Sequence, residues 1–146
     1  MTTKTEICTI VGVVGAAIAQ FIGGWDTALQ TLLVFMLIDF VMGIIVSAVF
    51  HKSKKNETGA LSSSVLWKGV CKKVCTLLIV ICANYADKLL VTDYVRDVVV
   101  IGFCAAELLS IVELAGLMDI LPKPVQQLLE KVIDILNRKG GGNDGN

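Results

Sequence analysis

Four carboxylates interrupt apolar stretches of this sequence and need a chemical explanation. They are Asp39, Asp87, Glu107 and Glu113. An ionised residue at the centre of a bilayer costs roughly 2.5 to 3.5 kcal/mol on insertion scales. Protonating a glutamate at pH 7 costs a similar amount, about 3.7 kcal/mol. We therefore expect these acids to be protonated, paired or exposed to water, and not to face lipid as free anions.

Small and polar residues accompany the acids at helical spacing. Gly43 follows Asp39 at i+4, and Ser110 follows Glu107 at i+3. Glu113 continues the second row by another three residues. Residues three or four apart share a helix face, so each row is a polar stripe on an apolar helix. Such a stripe predicts either helix contacts or, in an assembly of several copies, the wall of an aqueous path.

Other residue patterns give little support for catalysis or metal binding. Cys71 and Cys75 share a helix face, but the further Cys or His ligands of a zinc site are missing. The five cysteines lie mostly in apolar runs, which is typical of free buried thiols. His51 has no second histidine or nucleophile within motif distance, and the sequence has no glycine-rich phosphate loop. We expect a protein without enzymatic activity, cofactor or metal.

The composition favours a membrane protein. Of 146 residues, 55% are hydrophobic and 18% are charged, against about 25% charged residues in soluble domains. The formal net charge is zero, so general electrostatic attraction to nucleic acid is not indicated.

Four apolar segments approach the ~20 residues that a helix needs to cross a bilayer. They cover residues 7–24, 28–50, 74–91 and 98–121. The predicted fold is all-α, with integral membrane helical hairpins inside a transmembrane domain, 1–122. Four helices cross the membrane in this prediction, or three if the short first segment lies at the membrane surface.

A different pattern follows the last apolar segment. Val125, Leu128 and Val132 recur on one face of a helix predicted over 123–139. This amphipathic helix is expected in the cytoplasm, either on the membrane or against partner helices. The glycine-rich tail, 140–146, is expected to be disordered.

Basic residues predict the orientation of the chain. Lysines concentrate between the second and third segments, whereas few basic residues lie between the third and fourth. Short loops rich in lysine and arginine remain in the cytoplasm. The lysine-rich connection and both termini are therefore predicted to be cytoplasmic, and attraction of the lysines to anionic lipid is a further possibility.

From about Trp25 to about Lys131 the chain resembles the toxin-secretion and phage-lysis holin family. The resemblance rests on "WDTALQTLLVFMLIDFVMGII", "SSSVLWKGVCKK", "ANYADKLL" and, most specifically, "AELLSIVELAGLMDILPKPVQQLLEKV". The family often has Asn after the second glutamate and Gly shortly before the prolines, where this chain has Leu114 and Asp119. These departures concern local packing.

The resemblance implies a small protein that oligomerises in the bacterial cytoplasmic membrane and forms lesions. The lesions would release an endolysin for host lysis, or a large toxin, without stable contact with that cargo. The partners would be other copies of the chain and membrane lipid. Helix contacts or the lesion wall would include Asp39, Gly43, Asp87, Glu107, Ser110 and Glu113, and the cytoplasmic membrane edge would include Lys68, Lys72 and Lys73.

Two alternatives remain open at the level of sequence. A small proton-coupled transporter would use one indispensable intramembrane acid and move protons with its substrate. A non-conducting membrane adaptor would use the polar stripes only to hold helices together.

Overall fold

The computed structural model describes residues 2–51 and 62–140, and every element in these ranges is helical. The five α-helices are α1 (Thr2–Ile22), α2 (Thr27–Ile45), α3 (Ser63–Leu90), α4 (Val95–Leu117) and α5 (Lys123–Gly140). A π-helical turn, Val46–Phe50, extends α2. The all-α prediction is confirmed for these residues.

Three helical stretches are long and apolar enough to cross a membrane. They are Thr3–Ile22, Thr27–Phe50 and Val95–Leu117. The third predicted segment lies within α3, which is not among these three. The reason is composition, since α3 also contains Lys68, Lys72, Lys73, Asp87 and Lys88.

Helix bounds differ from the apolar segments where polar residues are helical or where turns intervene. α3 begins at Ser63, well before residue 74, because lysine is a good helix former even where it ends an apolar run. α4 ends at Leu117, because Asp119 adopts a left-handed conformation with φ of 59°. Most of the predicted tail, 141–146, lies outside the described residues, as do the first lysines of the basic connection.

The packed core lies among α2, α3 and α4, with the end of α1 against it. α2 packs most extensively against α4, and α4 packs next against α3. The side chains of residues 3–18 in α1 are exposed. The buried apolar cluster consists of Ile22, Leu29, Leu32, Met36, Val80 and Val100.

Apolar side chains also cover much of the exterior. Val34, Leu37, Val98 and Ile101 are examples from α2 and α4 with more than half of their surface exposed. A water-soluble bundle rarely leaves this much apolar surface open. The exterior is instead suited to hydrocarbon.

Candidate functional site

Three helices meet at a charge cluster in the middle of the bundle. Lys73 Nζ in α3 lies 2.9 Å from Asp39 Oδ2 in α2 and 2.7 Å from Glu107 Oε2 in α4. Ser110 Oγ donates a hydrogen bond of 2.5 Å to Asp39 Oδ1. We refer to Asp39, Lys73, Glu107 and Ser110 as the central charge cluster.

The two acids of the central charge cluster lie at matched depth. Asp39 and Glu107 are each about 18 Å along the helix axis from the first residue of α2 and α4, respectively. Both helices start at the same end of the bundle, so this rise places the carboxyl groups side by side. A hydrocarbon layer is about 30 Å thick, and the cluster therefore lies near its middle if these helices cross it.

The cluster has two carboxyl groups for one ammonium. Side-chain exposure is 11% for Asp39, 19% for Lys73 and 16% for Glu107. Charge-assisted hydrogen bonds are stronger in such low-dielectric surroundings. The arrangement joins three helices through one shared ammonium group.

A small cavity of about 120 Å³ adjoins the central charge cluster. Gly43 and Ser47 from the α2 side and Gly69 from α3 line it together with members of the cluster. Because one water needs only about 10 to 15 Å³ of cavity volume, this cavity has room for several waters beside the polar groups of Asp39, Ser47 and Lys73 in its otherwise largely apolar wall. Water can therefore approach the charges from the end of the bundle where α2 finishes and α3 begins.

A second polar group, which we call the Arg96 clamp, consists of Asp26, Asn84 and Arg96. Arg96 Nε donates to the carbonyl oxygen of Ile22 at 2.7 Å. Its Nη1 donates to Asp26 Oδ2 at 2.6 Å and to Asp97 Oδ1 at 3.3 Å. The Arg96 side chain is only 7% exposed, so the guanidinium ties the corner between α1 and α2 to the start of α4.

The clamp also satisfies the end of α1. Asn84 Nδ2 donates to the carbonyl oxygen of Phe21 at 2.9 Å, and Arg96 Nε donates to the next carbonyl oxygen, that of Ile22. These belong to the last helical turn, whose carbonyl oxygens lack partners within the helix. Gly23 fits beside the clamp because it has no Cβ: a Cβ there would lie 2.6 Å from Arg96 Nε.

Asp87 connects the clamp to the turn between α3 and α4. Its Oδ1 accepts from Thr92 Oγ1 at 2.6 Å and from the Val95 backbone N–H at 3.0 Å. Its Oδ2 accepts from the Arg96 backbone N–H at 2.8 Å. Tyr94, the residue before α4, provides no side-chain cap, so a side chain from α3 caps α4 instead.

Asp26 lies outside the candidate spans and has a perturbed pKa. The hydrogen bond from Arg96 is the main reason that the pKa of Asp26 lies below its ordinary value of 3.8, and the backbone N–H of Leu29 adds to this effect. The same carboxylate caps α2, since its Oδ1 accepts from Leu29 at 2.9 Å. The charged form of Asp26 is thus favoured by donors from both helices that it joins, Leu29 in α2 and Arg96 in α4.

The structure brings some of the sequence-predicted residues together. Asp39, Glu107 and Ser110 belong to the central charge cluster. Gly43 and Glu113 line the adjacent cavity. All five therefore lie in the central charge cluster or in the wall of the cavity beside it.

The remaining predicted residues lie elsewhere. Asp87 is close to the opposite end of the bundle, beside the Arg96 clamp. Lys68 and Lys72 are exposed on α3, whereas Lys73 turns inward to the central charge cluster. Within the two described ranges, no group of three or more His, Cys, Asp or Glu residues is placed to hold a metal ion.

The partners of the acids are not evident from the sequence. A cationic partner at mid-depth could be expected, because a buried acid on an apolar helix requires one. The sequence does not identify Lys73 as that partner, because its depth relative to α2 and α4 depends on packing. Arg96 carried a clearer signal. A cation in the first turn of a helix is opposed by the helix dipole, so Arg96 at that position requires nearby anions such as Asp26.

Comparison with known proteins agrees with this membrane-compatible bundle. The model of the bacteriophage holin family matches residues 16–138. The uncharacterized protein Lin0175 of Listeria innocua is 30% identical over 139 residues, which cover 93% of this chain and 91% of that protein. The uncharacterized protein CPE0383 of Clostridium perfringens is 29% identical over 137 residues, covering 91% and 93% of the two chains.

A further similar protein is the uncharacterized 14.9 kDa protein in the nagH 3′ region of Clostridium perfringens. It is 29% identical over 127 residues, covering 86% of this chain and 88% of that protein. No solved structure matches the chain. Since the family model spans most of the sequence and the helices are suited to a bilayer, this chain is a membrane protein that belongs to the bacteriophage holin family.

Proposed function

We propose that this holin-family protein oligomerises in the bacterial cytoplasmic membrane and opens lesions through which an endolysin, or a large toxin, leaves the cell. The observation that carries the proposal is the central charge cluster. It places charged groups from three helices inside a bundle whose exterior is largely apolar. One copy can therefore accumulate in lipid and still hold the polar surface that an aqueous lesion needs.

The proposed topology has four spans with both termini in the cytoplasm. α3 crosses as the third span because its segment from Val74 to Leu90 is mostly apolar and its inward Lys73 is paired. Lys68 and Lys72 then lie at the cytoplasmic membrane edge, consistent with the retention of basic residues on that side. The Arg96 clamp lies at the opposite, outer edge.

Several copies are required for a protein-sized opening. A single bundle of this size has too few helices to surround a folded enzyme, and its charged groups contact one another. We assign Asp39, Glu107 and Ser110 to helix contacts before opening. In the assembled lesion, the same groups and the neighbouring Gly43 and Glu113 contribute polar surface to the wall.

Coexpression tests this proposal directly. The chain is produced in bacteria with a muralytic enzyme that has no export signal, and turbidity and uptake of an impermeant dye are followed. We expect abrupt lysis only when both proteins are present, and dye uptake with the chain alone. Normal growth and dye exclusion, with the chain confirmed in the membrane, would overturn the proposal.

The shared ammonium of the central charge cluster also favours a second candidate, a small proton-coupled transporter. In such a transporter, one carboxyl group of the central charge cluster would exchange a proton while the other stays paired with Lys73. A transporter would move protons only with its substrate and would leave the muralytic enzyme inside the cell. A non-conducting adaptor would cause neither dye uptake nor proton movement. The coexpression experiment therefore separates lesion formation from both alternatives, and substrate-dependent proton movement separates the transporter from the adaptor.

A further inference from the structure

The last two helices face each other across an apolar groove of about 300 Å³. The turn between them holds α5 at this position: Gln126 Nε2 donates to Asp119 Oδ1 at 3.2 Å and to the carbonyl oxygen of Leu121 at 3.1 Å. The groove is lined from α4 by Ala105, Leu108, Leu109 and Val112, and from α5 by Val125, Leu128 and Val132.

The α4 wall of the groove belongs to a helix that is long and apolar enough to cross a membrane. Leu108 and Leu109 are 47% and 38% exposed there. In a bilayer, exposed apolar residues of a spanning helix contact acyl chains. The groove is continuous with that lipid-facing surface.

α5 cannot close the groove by moving into the hydrocarbon. Glu130, Lys131 and Asp134 are exposed on α5, and helical spacing places Glu130 and Asp134 away from Leu128 and Val132. Lys131, three residues after Leu128, lies at the edge of the apolar face, from which its long side chain can reach water. Ionised side chains strongly oppose entry into the bilayer interior. A helix with an apolar face opposite a charged face instead turns its apolar side toward acyl chains and its charged side toward water.

We propose that acyl chains of the leaflet nearest the C-terminal end of α4 fill this groove, with the apolar face of α5 turned toward those chains and its charged face turned away from them. The acyl chains then leave no empty apolar cavity and no apolar wall in contact with water, each of which is unfavourable. The inference depends on α4 crossing the membrane and does not depend on lesion formation.

Tryptophan quenching by brominated phospholipid tests the occupant. In the full chain, Trp25 and Trp67 are replaced by Phe, and Leu128→Trp is introduced in the groove. Gln127→Trp is the matched control, because Gln127 is exposed and helical spacing places it on the charged side of α5. Leu108→Trp reports the opposite wall, and helicity by circular dichroism confirms that each variant is folded.

We expect brominated acyl chains to reduce the fluorescence of Leu128→Trp and Leu108→Trp roughly twofold and to leave Gln127→Trp nearly unchanged. Unquenched, blue-shifted Leu128→Trp would show that α5 packs dry against α4, and unquenched, red-shifted emission would show a wetted groove. Quenching that disappears as the protein-to-lipid ratio rises would assign the groove to a second copy. Each of these three results would overturn the proposal, and none depends on the lysis assay.

Discussion

Lys73 is the residue on which the central charge cluster depends. Its ammonium is the shared partner of Asp39 and Glu107 at 2.9 and 2.7 Å. Removing one member of a buried ion pair leaves uncompensated charge and typically costs about 3 to 5 kcal/mol. We expect Lys73→Met to lower the free energy of unfolding in detergent by this amount, measured by circular dichroism during denaturation.

Two further variants make the Lys73 result specific. Lys72→Met removes an exposed neighbour on the same helix, and surface changes usually stay within about 0.5 kcal/mol. Adding Asp39→Asn and Glu107→Gln to Lys73→Met removes the unpaired anions, so much of the stability should return. Equal effects of Lys72→Met and Lys73→Met would show that the cluster does not hold the helices.

Asp26 gives the structure a predictable response to acid. Because the pKa of Asp26 is lower in the folded chain than its ordinary value of 3.8, its stabilising contribution is present above that value. The contribution is lost as the pH falls through the folded-state pKa. We expect wild type to exceed Asp26→Asn in stability at pH 5 to 7, and the difference to shrink below about pH 4.

The size of the Asp26 effect is limited by solvent. Its side chain is 45% exposed, and ion pairs with such exposure contribute about 1 kcal/mol or less. Thermal unfolding from pH 7 to 3 measures the difference, and asparagine keeps the ability to cap α2. A difference that stays constant down to pH 3 would contradict the assignment to the carboxylate charge.

At the scale of elements, the corner between α1 and α2 depends on two adjacent glycines with different surroundings. Gly23 and Gly24 have φ of 100° and 107°, so alanine strains the backbone at either position. A Cβ at Gly23 would also lie 2.7 Å from Asn84 Oδ1, whereas no heavy atom lies within 4 Å at Gly24. Comparing the alanine variants at the two positions therefore separates the effect of backbone strain from the effect of displacing the Arg96 clamp.

We expect Gly24→Ala to lower stability by about 1 to 2 kcal/mol, the strain of a left-handed residue. Gly23→Ala should lower it further, because the Arg96 and Asn84 side chains must move from the α1 carbonyls. Thermal unfolding of both variants gives the comparison. Equal losses would show that the clamp adapts freely to a methyl group.

At the scale of the whole molecule, the proposed topology predicts which connections can be labelled from outside. Asp93 lies in the turn between α3 and α4, and Lys123 begins α5; both are exposed. In a cysteine-free background, an impermeant maleimide applied to spheroplasts before lesions open should label Asp93→Cys. Lys123→Cys should react only after detergent is added, and the reverse pattern would invert the topology.

Composition and spacing predicted the all-helical architecture and the residues that required partners. Apolar runs are a local property of the sequence, so they could be identified directly. Pairing was not local: Asp26 and Arg96 are 70 positions apart, and Asp39 and Lys73 are 34 apart. Their contacts depend on the relative depth of α2, α3 and α4, which side-chain packing determines. Asp87 illustrates this limit. The apolar segment around it predicted a residue at a helix contact or in the lesion wall, whereas its carboxylate caps the start of α4 in the structure.

The Arg96 clamp also has a consequence for biogenesis. The ribosome makes the corner between α1 and α2 first, but the guanidinium that fastens it belongs to the beginning of α4. In the proposed topology, the first hairpin therefore enters the membrane before the Arg96 clamp can form, because residue 96 must still be translated and reach the outer edge. Under that topology, the second hairpin completes the maturation of each copy.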